Sequence, residues 1–168
     1  INPVGFQLKQ TTFSWISDCP DVDTSRIVVK VENEVAVDTG WKKLNPLATK
    51  LNIHPKPRTV YEWKVSVKDK AGEIITSETQ FFETGKMDEP WKAKWIASQE
   101  GIDRHPIFFT RFPINSDKGI KRARLYICGL GLYEAYIDGN RIGDAYLTPG
   151  FYAYNLWNQV QTYDITKY

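Results

Sequence analysis

Val60-Tyr61-Glu62-Trp63-Lys64-Val65-Ser66-Val67-Lys68-Asp69 alternates without a break. Tyr61, Trp63, Val65 and Val67 fall on one side, and Glu62, Lys64, Ser66 and Lys68 on the other. A period of two belongs to a strand with one face turned inward. The same rhythm sets Ile27, Val29 and Val31 against Arg26, Val28, Lys30 and Glu32, and Ala123, Leu125 and Ile127 against Arg122, Arg124 and Tyr126. No stretch sustains helical periodicity. Asp38-Thr39-Gly40, Asp69-Lys70-Ala71-Gly72 and Asp138-Gly139-Asn140 punctuate the strands with turn residues. Short strands between such turns predict an all-β protein built of antiparallel sandwiches.

Working outward, strands are expected near 11–16, 26–32, 35–38, 60–69 and 79–84, with a short one near 48–53. The polar stretch Thr84-Gly85-Lys86-Met87-Asp88-Glu89-Pro90 reads as a link between domains. Beyond it, strands are expected near 93–97, 107–114, 121–128, 131–138, 141–147 and 158–165. The expected domains are 1–86 and 87–168. Trp91 and Trp95 lie at the junction, where they would pack the two sandwiches together.

Composition narrows the function classes. The chain has 168 residues, which is too short for a large catalytic barrel. Hydrophobic residues are 42% and aromatics 14%, which argues against disorder. The net charge is +2, with basic residues scattered among acidic ones. Lys121, Arg122 and Arg124 come nearest to a patch, so no nucleic-acid partner is expected. No apolar run approaches the ~18 residues of a membrane span, so no membrane partner is expected either. Cys19 and Cys128 lie in different expected domains and read as free thiols, which suit a cytoplasmic or a secreted protein alike. His54 and His105 stand alone before Pro55 and Pro106, and no Cys/His cluster has zinc spacing. The chain begins at Ile1 with Met87 its only methionine, which leads one to expect a processed or excised piece.

Two resemblances follow. Trp15, the run 26–32, Leu51, Pro57, Thr59, Tyr61, Gly72, Ser77 and Phe82-Glu83-Thr84 are similar in order to a fibronectin type III domain, an immunoglobulin-like sandwich. Tyr61 would form its tyrosine corner, with the hydroxyl bonding back to upstream backbone. The second half runs from WKAKWIAS at 91–98 through RARLYI, GLGLYE, DGNRIGD and LTPG to a closing TYDIT. This ordered set resembles the N-terminal β-sandwich of bacterial α-L-rhamnosidases, which a fibronectin-like domain often precedes. The resemblance implies a jelly-roll-like, galactose-binding-like second sandwich, here stopping short of its last strands. It also implies an inverting glycoside hydrolase as parent, releasing terminal α-L-rhamnose. Inversion needs two carboxyl groups about 6.5–9.5 Å apart. In the family these lie on a downstream (α/α)-barrel, the expected partner of this chain. No catalytic residue is therefore assigned here, and the chain alone is expected to be inactive.

Phe151-Tyr152-Ala153-Tyr154-Asn155-Leu156-Trp157 is the candidate binding segment. Tyr152, Tyr154 and Trp157 could stack on the C–H face of a sugar, and their polar tips could meet its hydroxyls. Packing of the same rings against the sandwich stands ahead of that reading. Asp18, Asp21 and Asp23 could supply oxygens to calcium but lack the closing Glu and turn Gly of a calcium loop, so no metal or other cofactor is assigned. Glu134, Asp138 and Asp144 flank the hairpin and read as structural. The leading reading is a non-catalytic front end of a rhamnosidase, bracing the barrel and meeting rhamnose-containing carbohydrate. A free-standing carbohydrate-binding module and a fibronectin-like interaction or adhesion protein remain the alternatives.

Overall fold

The structure is a computed structural model that describes residues 4–5, 10–99, 104–114 and 119–168. Part of the expected first sandwich, residues 1–3 and 6–9, lies outside the described residues, as do 100–103 and 115–118 of the second. Every regular element among the described residues is a strand, so the chain is all-β as expected. The chain forms two compact units, 1–95 and 96–168.

The first unit contains β1 (Val4–Gly5), β2 (Thr11–Phe13), β3 (Val22–Val31), β4 (Glu34–Asp38), β5 (Thr49–Leu51), β6 (Val60–Asp69), β7 (Ile74–Thr76) and β8 (Gln80–Thr84). One sheet runs β1-β8-β6-β3-β4, with β7 also paired to β6, and β2 and β5 form a second sheet. The β1–β8 pair is parallel, and its neighbours are antiparallel. β1 and β7, which carry no long alternating pattern, were not expected from the sequence. Glu32 and Asn33, both with positive φ, make the two-residue turn between β3 and β4. That turn type matches the natural twist of a hairpin.

Both sheets feed one core. Phe13, Leu51 and Ile53 meet Ile27, Val29, Tyr61, Val65 and Phe82, so the inward set of the alternating strands is the buried set. Phe13 sits edge-on to Trp63 at 4.9 Å and to Phe82 at 6.1 Å. The tyrosine corner forms as expected: Tyr61 is 2% exposed, and its hydroxyl accepts the Lys56 N–H at 2.8 Å. Arg26 on β3 and Asp38 on β4 form a bidentate ion pair.

The second unit contains β9 (Arg124–Ile127), β10 (Tyr136–Ile137), β11 (Asn140–Arg141) and β12 (Gln161–Asp164). β9 pairs antiparallel with β12, and β10 with β11. Asp138 and Gly139, both at positive φ, form the hairpin turn, and Asn140 already belongs to the ladder opposite Ile137. Ile142 N–H to Ala135 O at 2.8 Å and Tyr133 N–H to Thr148 O at 2.9 Å carry the hairpin further.

The strands expected at 93–97 and 107–114 do not form. Their apolar residues are outside any ladder, with Ile107 93% exposed. An apolar, aromatic-rich run makes a strand only where a neighbour takes up the backbone groups and a second layer covers the apolar face. Neither is present for these segments among the described residues. The strands expected at 131–138 and 141–147 shrink to two residues each, and that at 121–128 to Arg124–Ile127, which leaves Cys128 just past the strand end.

Candidate functional site

The aromatic segment 151–157 leaves the hairpin through Thr148, Pro149 and Gly150. Thr148 is buried and fixed twice to Tyr133, accepting its N–H and donating its hydroxyl to the Tyr133 carbonyl at 3.1 Å. A turn then follows, because Ala153 O accepts the N–H groups of Leu156 at 2.9 Å and Trp157 at 3.2 Å. The turn folds Trp157 back over Tyr152.

The three expected rings do come together, but in unequal roles. Tyr152 is buried, and its hydroxyl donates to Gly129 O at 2.7 Å. Trp157 stacks on it, with centroids 4.8 Å apart and planes at 26°. Tyr154 meets it edge-on at 4.7 Å. Tyr152 is thus the floor of the cluster. Trp157 remains 54% exposed and Tyr154 38%, so these two carry what is open to a ligand. Phe151, which has no hydroxyl and was not singled out, is 98% exposed and lies 6.5 Å from Tyr154. Burial is the main cause that raises the Tyr152 hydroxyl above its usual range. Beneath the segment, burial and then a bond with Tyr163 raise the Tyr133 hydroxyl, which also donates to Gln161.

The carboxylates around the hairpin have structural partners or face solvent. Glu134 accepts the Tyr136 hydroxyl at 2.6 Å and lies 3.5 Å from Arg141. That hydroxyl bond is the main cause holding the Tyr136 hydroxyl above its usual range. Asp138 sits in the turn, and Asp144 is exposed. Sequence reasoning missed the neighbouring Arg141, whose guanidinium lies 4.6 Å over the Tyr146 ring and donates to Ala145 O. It missed Leu147 too, exposed and at φ 56°. The LTPG motif was the available signal for this bend. An open hollow of about 380 Å³ lies beside the hairpin, lined by Ile137, Asp138, Asn140, Lys167 and Tyr168.

In the first unit, Asp21 turns towards Lys70 at 3.7 Å, and no group of three metal-ligating side chains gathers among the described residues. Cys19 and Cys128 are free. His54 and His105 are exposed. No helix among the described residues is long and apolar enough to cross a membrane.

Comparison with known proteins gives two family matches in sequence order. Residues 1–88 match the model for the Rha78A-like N-terminal immunoglobulin domain, and residues 118–168 match that for the alpha-L-rhamnosidase N-terminal domain. An alpha-L-rhamnosidase of Formosa agariphila is 28% identical over 203 residues, covering 99% of this chain and 21% of that protein. An alpha-L-rhamnosidase of Streptomyces avermitilis is 51% identical over 79 residues, covering 46% of this chain and 7% of that protein. The crystal structure of Streptomyces avermitilis alpha-L-rhamnosidase complexed with L-rhamnose aligns with a TM-score of 0.48 at 20% identity, over 98% of this chain and 19% of that one. The chain spans about a fifth of the length of the curated relatives that it matches from end to end. With more than half of its residues in the first match and its last residues in the second, the chain belongs to the Rha78A-like N-terminal immunoglobulin domain family, joined here to an alpha-L-rhamnosidase N-terminal domain.

Proposed function

We propose that this chain is the non-catalytic front of a bacterial α-L-rhamnosidase. In this reading a fibronectin type III-like sandwich over 1–86 and the start of a jelly-roll-like sandwich over 87–168 brace a downstream catalytic barrel. The observation that carries it is the pair of family matches, in that order, on one chain. The second unit would also meet the rhamnose-bearing carbohydrate. Trp157 supports this role, since one of its faces rests on Tyr152 while about half of its surface is open. A ring fixed from behind loses little freedom when a sugar stacks on its free face. Tyr154 adds a phenol at the rim.

The test has two arms. The purified chain is assayed on an aryl α-L-rhamnoside, and no hydrolysis is expected. Hydrolysis lost on mutating one of the chain's own carboxylates would overturn the non-catalytic reading. Calorimetry with L-rhamnose, with and without calcium, is expected to give binding that Trp157→Ala weakens. Heat-silent titrations in both conditions would remove the carbohydrate role and leave the bracing role.

A further inference from the structure

The stretch that reads in sequence as a polar interdomain link is fastened at its start to the first unit. Thr84, at the end of β8, is fully buried. Its hydroxyl donates to Lys56 O at 2.5 Å and accepts the Thr59 N–H at 2.8 Å, while its own N–H goes to Thr59 O at 2.9 Å. One residue on, Gly85 O accepts the Arg58 N–H at 2.8 Å. The Arg58 side chain then reaches forward and forks Glu89, with Nη2–Oε1 and Nε–Oε2 both at 2.9 Å. The Glu89 N–H closes onto Lys86 O at 3.3 Å. Lys86 is buried, and its ammonium lies 4.7 Å over the Trp91 ring.

Backbone geometry marks the same place. Arg58 and Met87 both have φ 51°, a left-handed conformation that a residue with a Cβ adopts only where its surroundings impose it. Here the surroundings are the bonds on either side: Arg58 is held at its N–H and at its guanidinium, and Met87 lies between Lys86 and Glu89. A bidentate arginine–carboxylate fork is directional as well as attractive. An ammonium over a ring is attracted by the ring's negative face, which adds a second hold on the segment.

We infer that residues 85–91 are a clamped stem of the first unit. The Arg58–Glu89 fork is its lock, and the stem sets the direction in which the chain leaves the sandwich. It also holds Trp91 as a fixed, half-exposed ring. This inference does not depend on the proposed carbohydrate or bracing roles.

Nitrogen-15 relaxation on the full chain tests it. In the wild type, the amides of 85–89, Lys86 among them, and the Trp91 indole should give order parameters like those of β8, about 0.85. Arg58→Ala and Glu89→Gln should each lower the amides of 87–89 and the Trp91 indole below about 0.6 and leave the β6 and β8 amides unchanged. Those core amides show that the variants remain folded. A wild-type stem already below that value would overturn the inference. So would a rigid stem that neither variant loosens.

Discussion

The Tyr61 ring lies parallel to that of Phe82, with centroids 4.9 Å apart and planes at 7°, while the Tyr61 hydroxyl takes the Lys56 N–H. One side chain thus joins the core to the loop that enters β6. Tyr61→Phe keeps the stack and loses the bond, at a cost of about 1 kcal/mol. Tyr61→Ala removes the ring from the centre of the core and should cost about 3–5 kcal/mol. Urea unfolding of both variants checks the order. Equal losses would show that the hydroxyl, not the ring, dominates the corner.

Tyr152 and Trp157 should separate folding from binding. Tyr152→Phe loses the bond to Gly129 O and should destabilise the second unit by about 0.5–1.5 kcal/mol, with sugar affinity nearly unchanged. Trp157→Ala should do the reverse, reducing affinity at little cost in stability. Thermal unfolding and calorimetry on the two variants provide the comparison. A loss of affinity confined to Tyr152→Phe would reverse the assigned roles.

The Arg26–Asp38 pair predicts a pH response. The hydrogen bond from Arg26 and then the Gly40 N–H hold the Asp38 carboxyl down at about 2. A carboxyl lowered in the folded state favours folding above its unfolded value of about 4, and that contribution is lost as pH falls from about 4 towards 2. The two side chains are still 40% and 34% exposed, so solvent screens the pair and the effect on stability is small. Carboxyl-carbon NMR titration should place the Asp38 midpoint near 2, and Arg26→Ala should return it towards about 4. An Asp38 midpoint near 4 in the unmodified chain would mean that the fork does not persist in solution.

Gly143 and Gly139 share a left-handed backbone but not a neighbourhood. A Cβ at Gly143 would lie 2.6 Å from the Tyr163 ring, whereas one at Gly139 meets nothing within 4 Å. Gly139→Ala should cost about 1–2 kcal/mol from the backbone alone. Gly143→Ala adds displacement of the Tyr163 ring and should cost more. Chemical unfolding of the two variants measures the difference, and equal values would show that Tyr163 yields without resistance.

Legibility tracked the range of the interactions. The period-two runs of β3 and β6 could be read because each residue's neighbours on its face are two positions away in the same strand. The tyrosine corner could be read too, since Tyr61 and Lys56 lie five residues apart. The segments 93–97 and 107–114 are rich in apolar and aromatic residues but form no strand, because a ladder needs a partner that no local pattern supplies. The aromatic run 151–157 was visible as a site candidate. Its division into a buried floor, Tyr152, and an open ring, Trp157, was not, because that rests on Gly129 O more than twenty positions earlier in the chain.

By itself, then, the sequence determined the all-β class, the order of the two families and the inward faces of the long strands, all of which follow from local alternation and ordered motifs. Tertiary structure alone decided three things: which apolar segments pair, which aromatic ring stays open, and that the apparent linker begins as a stem tied down by Arg58. Each depends on partners brought together across the fold, where hydrogen-bond satisfaction and burial, rather than local propensity, choose the outcome.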